Sequence, residues 1–120
     1  MTYIHVDDKT IDEFIQNNIQ DRSNIKSICD ELLIWFDKNT KYSRLNAPFF
    51  PLQRSDLDVI SMQSGTCGDY SNLIVSLLQK LGYEAMYAYV HKDCYGDEQD
   101  HICVAVRDGK EWILIDATQP

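Results

Sequence analysis

The chain has 120 residues and a formal charge of −8, from 19 acidic against 11 basic side chains. That length suits one domain with one core, residues 1–120, and a hydrophobic fraction of 44% excludes a disordered chain. The acidic balance argues against a duplex nucleic-acid binder and against a polybasic membrane anchor.

No apolar run is long enough to span a bilayer. Residues Met1 to Asp8 lack the basic and apolar regions of a signal peptide. A cytoplasmic location is therefore expected, with Cys29, Cys67, Cys94 and Cys103 reduced. Their irregular spacing is not that of a disulfide framework.

In chain order, Ile11, Phe14, Ile15 and Ile19 form one stripe of a helix over Thr10 to Ile19, with Asp8 or Thr10 as cap. Ile25, Ile28, Cys29, Leu32, Trp35 and Phe36 predict a second helix from Ser23 to about Lys38, capped by Ser23 and ended by Asn39-Thr40. Lys41 to Ser61 reads as irregular, since Phe49, Phe50, Pro51 and Leu52 follow without a period.

A third helix is predicted over Cys67 to Leu81. Thr66 is its N-cap, Asp69 the reciprocal partner of a capping box, and Gly82 its stop. Leu73, Ile74, Val75, Leu77, Leu78 and Leu81 cover most of its wheel, the mark of a central, buried helix. Three strands follow: Tyr83 to Val90, His101 to Arg107 and Glu111 to Ala117, the last two flanking the turn signal Asp108-Gly109. Helices first and strands afterwards predict an α+β fold, with N-terminal helices and a central buried helix packed on an antiparallel sheet.

Cys67 lies in Ser64-Gly65-Thr66-Cys67-Gly68-Asp69-Tyr70, at the start of that central helix. A helix N-terminus presents the positive end of the helix dipole, which favours a thiolate, the nucleophilic form of cysteine. If Asp108-Gly109 is a two-residue turn, Arg107 faces Lys110, and counting back places His101 opposite Asp116. An imidazole and a carboxylate so opposed can hydrogen-bond. Cys67, His101 and Asp116 are then the parts of a cysteine nucleophile, its base and an orienting acid. The backbone N–H of Cys67 is a natural oxyanion donor, and attack on a carbonyl carbon would give a thioester resolved by water or an amine.

Four blocks carry a resemblance. They are Ser64 to Ser71, Leu81-Gly82-Tyr83-Glu84-Ala85, Asp100-His101-Ile102-Cys103-Val104-Ala105-Val106, and Glu111-Trp112-Ile113-Leu114-Ile115-Asp116-Ala117-Thr118. In this order they resemble the transglutaminase-like cysteine-enzyme superfamily, whose catalytic core is related to that of papain-like proteases. Tyr42, closing the second helix, also resembles a family feature. The resemblance implies Cys67 as nucleophile, His101 as base and Asp116 as orienting acid, with no cofactor or metal. It implies acyl transfer or hydrolysis on a peptide or protein amide. Cys103 stands where the family often has an aromatic, and Ala117 where it often has proline. Gln53 and Gln63 are the candidates for a second oxyanion donor.

Other readings differ in class. One is a non-catalytic interaction module on the same fold. Another is a zinc site built from His91, Cys94, His101 and Cys103, whose spacing matches no common finger. Cys94 is a rival nucleophile without a helix start. The acidic stretch Asp93 to Asp100 would favour cationic substrates near His101.

Overall fold

The computed structural model describes residues 3–42, 54–92 and 98–116; for Tyr42, 90–92 and 98–101 this covers the backbone only. Helix α1 (Lys9–Asn18) starts where the Asp8 carboxylate accepts the N–H of Thr10 at 2.8 Å, and it buries Ile11, Phe14 and Ile15. Helix α2 (Ile25–Asn39) is capped by Asn24, whose Oδ1 accepts the N–H of Ser27 at 2.9 Å. Ser23, expected as the cap, instead donates its hydroxyl to Asp21 at 2.6 Å, so the helix begins one residue later than that cap would give. The predicted α2 face is the buried one, from Ile25 to Phe36.

Part of the stretch expected to be irregular is ordered. Strand β1 (Lys41–Tyr42) pairs in parallel with β2 (Ser64–Gly65), and helix α3 (Asp56–Met62) lies between them in sequence. Tyr42 therefore sits on a strand and not at the end of α2. A Ser55–Asp58 capping box starts α3, with Ser55 N–H donating to Asp58 at 3.1 Å and Asp58 N–H to Ser55 Oγ at 3.2 Å.

Helix α4 (Cys67–Lys80) is the centre of the molecule. Every residue from Asp69 to Leu78 is buried, and the helix touches α1, α3, β2, β3 and β4. Its end is a Schellman motif: Tyr83 N–H bonds Leu78 O and Gly82 N–H bonds Gln79 O, both at 3.0 Å. Gly82 adopts φ +92°, a conformation that glycine reaches without strain. Rings tie the helices together, Phe14 to Trp35 edge-on at 4.8 Å and Phe36 to Tyr70 at 4.7 Å between centroids.

The sheet runs β3 (Ala85–Lys92), β4 (Glu98–Asp108) and β5 (Glu111–Ile115), antiparallel and in that order. Val104, Val106 and Ile115 face the core, while Met86, Trp112 and Leu114 stay exposed on the other side. The β4–β5 register differs from the count made on the sequence. Asp108 pairs with Glu111 and Arg107 with Trp112, so the turn is Gly109-Lys110. Gly109 takes φ +64°, and Lys110 keeps a negative φ. Glycine first in a two-residue loop is the pattern of a type II′ turn, which here wins over the Asp-Gly type I′ alternative.

Candidate active site

Cys67 is the first residue of α4 and is half-buried. Its turn is built by Asp69, which is 3% exposed. One carboxylate oxygen of Asp69 accepts the Thr66 N–H at 2.9 Å and the Thr66 hydroxyl at 3.2 Å. The other accepts the N–H of Arg54 at 2.8 Å. Asn72, one turn further along the same helix, donates to the Arg54 carbonyl at 2.8 Å and accepts the Tyr87 hydroxyl at 2.6 Å. Arg54 also donates through its guanidinium to Ser64 Oγ at 2.7 Å. Asp69 and Asn72 thus hold both backbone polar groups of Arg54 against the start of α4. Each is a buried polar group satisfied by partners, as burial requires.

Two glycines shape the same turn. A Cβ on Gly65 would lie 2.8 Å from Asp69 Cβ and 3.3 Å from Tyr70 Cε1, so the strand approaches α4 as closely as it does only because position 65 has no side chain. A Cβ on Gly68 would meet nothing within 4 Å. The turn beside Cys67 is packed on the Gly65 side and open on the Gly68 side.

His101 lies on β4, paired through its backbone with Val90 of β3. Asp116 follows β5 directly. The expected opposition of His101 and Asp116 is not the observed register, because the turn sits one residue later. Continued one step past Val104–Ile115, the ladder brings Asp116 level with Cys103, two residues from His101. A shift of two keeps the alternation, so positions 101, 103 and 116 remain on one face, as diagonal rather than direct neighbours.

Cys103 reports what surrounds this end of the hairpin. It is 4% exposed. Burial pushes its thiol pKa up, and the neighbouring Asp116 and then Cys67 push it further in the same direction. The thiol of Cys103 therefore lies within electrostatic reach of both residues. Helix and strand also meet through Ser71, whose hydroxyl donates to the Cys67 carbonyl at 2.7 Å and lies 3.4 Å from the Ile102 carbonyl. Cys29 belongs to the core instead; burial, with Asp30 nearby, raises its pKa to about 11.

Of the other candidates, Gln63 caps α3 in the left-handed region, φ 54° and ψ 38°, and is exposed. Gln53, Cys94 and residues 93–97 of the acidic stretch Asp93 to Asp100 lie outside the described residues, as do the side chains of His91 and His101 that the zinc reading needs. Among the described residues no group of three or more His, Cys, Asp or Glu side chains is arranged to hold a metal ion. Sequence reasoning passed over Arg54, Asn72 and Tyr87. The available signal was Asn72 itself, a polar residue between Ser71 and Leu73 on a helix otherwise apolar on most faces.

Four helices packed on a three-stranded antiparallel sheet, among the described residues, define an α+β fold. The chain belongs to the transglutaminase-like superfamily, whose family model matches residues 9–117. Two solved structures share the fold. A proposed cysteine protease from Cytophaga hutchinsonii is 22% identical, with a TM-score of 0.80 over 99% of this chain and 39% of its own. A protein described as a TGase is 20% identical, with a TM-score of 0.71 over 92% of this chain and 31% of its own. The chain thus spans well under half the length of either. A search of curated proteins gave no match. Among the described residues no helix is long and apolar enough to cross a membrane.

Proposed function

We propose that residues 1–120 form a single cysteine-dependent domain that transfers or hydrolyses the acyl group of peptide-like amides. Cys67 is the nucleophile, His101 the base and Asp116 the acid that orients it. His101 takes the thiol proton, and the sulfur attacks the amide carbonyl carbon. The carbon–nitrogen bond then breaks, and the amine leaves with the proton held by His101. Water or a second amine attacks the thioester and restores the thiol. The N–H of Cys67 stabilises the oxyanion. The reading includes a cytoplasmic location, in keeping with Cys29, Cys67 and Cys103 as free thiols.

The observation that carries this reading is the convergence at Cys103. The β4–β5 ladder, continued one step, brings Asp116 level with it, and the Ser71 hydroxyl links the Cys67 carbonyl to that of Ile102, the residue just before it. His101 belongs to the same strand, two residues away.

The test is iodoacetamide alkylation from pH 5 to 9, mapped by mass spectrometry, on the wild type and on His101→Ala. Cys67 is expected to react ahead of the other three cysteines at acidic pH and to lose that lead without His101. An ordinary or late Cys67 would turn the reading toward a non-catalytic module. Once a substrate is found, Cys67→Ala should abolish turnover. Asp116→Asn should cost about a hundredfold or more while the fold stays intact.

A further inference from the structure

We infer that Ser71 is a positioning residue, whose hydroxyl holds the first turn of α4, and with it Cys67, against the part of β4 that carries His101. This rests on the catalytic reading above.

Ser71 is 2% exposed, inside the central helix. Its hydroxyl donates back to the carbonyl of Cys67, four residues earlier, at 2.7 Å. A back-bond of this kind slightly destabilises a helix and tends to bend it. Alanine is nearly the same size and the better helix former. Helix stability alone therefore gives no reason for serine at this position.

The second acceptor supplies a reason. The carbonyl of Ile102 lies 3.4 Å from the same hydroxyl, across the helix–sheet contact. Ile102 directly follows His101, and on its β3 side it pairs with Tyr89. On its other side the last β4–β5 pair among the described residues is Val104–Ile115. Ser71 thus reaches β4 two residues beyond the last β4–β5 pair among the described residues. One hydroxyl proton faces two carbonyls, one in the residue that bears the nucleophile and one next to the base. The bridge couples the placement of those two residues without touching a substrate.

Ser76 is the natural control. It lies on the same helix, is 0% exposed, and its hydroxyl has no hydrogen-bond partner among the described residues. Removing that hydroxyl loses buried polarity without breaking a bridge.

The experiment compares wild type, Ser71→Ala and Ser76→Ala. Each is measured for the pH profile of Cys67 alkylation by iodoacetamide and for its urea midpoint. Ser71→Ala is expected to keep or raise the midpoint. Its acid-side rate at Cys67 should fall about ten- to a hundredfold, the cost of a displacement on the scale of an ångström between reacting groups. The profile should move toward that of His101→Ala. Ser76→Ala should leave the profile unchanged. A wild-type profile in Ser71→Ala overturns the inference and leaves the catalytic reading standing. A collapsed midpoint in Ser71→Ala overturns it too, by making Ser71 a structural residue. A wild-type Cys67 with no lead over the other cysteines overturns both.

Discussion

A methyl group at position 65 has no room. Its carbon would sit 2.8 Å from Asp69 Cβ, an atom fixed to the helix backbone and unable to swing aside. Gly65→Ala must therefore push β2 away from α4, or tilt the first turn of the helix. Overpacking of this kind costs about 1–3 kcal/mol. Urea denaturation of Gly65→Ala should show that loss, and Cys67 alkylation should slow in the same variant. An unchanged midpoint would mean that the strand and helix are not held as tightly as the geometry implies. Asp69 is the reason for the close approach. Its carboxylate serves Thr66 and Arg54 at once, so it has to lie flat against the strand. The capping role of Asp69 could be read from Thr66 and the three-residue spacing. The bond to Arg54 could not, because nothing local in the chain relates residues fifteen apart.

At the scale of elements, the helices with long apolar periods were legible, and so were the three strands. The failures have physical causes. Helix α3 has seven residues and a single fully buried apolar side chain, Val59, so it has no stripe to detect. Its start was nonetheless written in Ser55 and Asp58, a capping pair with Asp in place of the commoner Glu or Gln. Strands of two residues, β1 and β2, lie below any period. The hairpin register turned on one glycine. Asp-Gly suggested a turn centred on those two residues, whereas Gly109 opens the loop and Asp108 ends the strand. The face of Asp116 survived that error because the slip was even; its direct partner did not. The true register also opposes two exposed acids, Asp108 and Glu111. Like charges directly opposite are unfavourable, and an opposite pair contributes about 0.2–1 kcal/mol. Glu111→Lys should therefore raise the melting temperature by a few degrees, and the gain should shrink in high salt. A loss of stability would contradict the register.

For the whole molecule, the thiols and phenols of the interior set its response to alkali. Burial raises the pKa values of Cys29, Cys103, Tyr70 and Tyr87, and that of Cys29 reaches about 11. A group whose folded pKa exceeds its unfolded value stabilises the fold fully below the unfolded value and loses that contribution as pH rises through the folded one. For Cys29 the window runs from 9.0 to about 11. The urea midpoint should hold near pH 8 and fall steadily across that window. Cys29→Ala should start lower, having lost buried volume, and decline less steeply. A parallel decline in the two proteins would remove Cys29 as a contributor. Composition and charge foretold none of this, since ionisation in the interior depends on which cysteines the fold covers.

Arg54 and β1 have one more consequence together. Lys41 is bonded to Gln63 O at 3.0 Å, and Arg54 to Asp69 at 2.8 Å. Two separate parts of the chain are therefore pinned beside the start of α4. Both posts are held through main-chain N–H groups, so the anchoring does not depend on which side chains stand at positions 41 and 54. Exchange of the side chain at either post could therefore change the chemistry beside the cysteine, while the backbone at both posts, the helix and the sheet stay as they are.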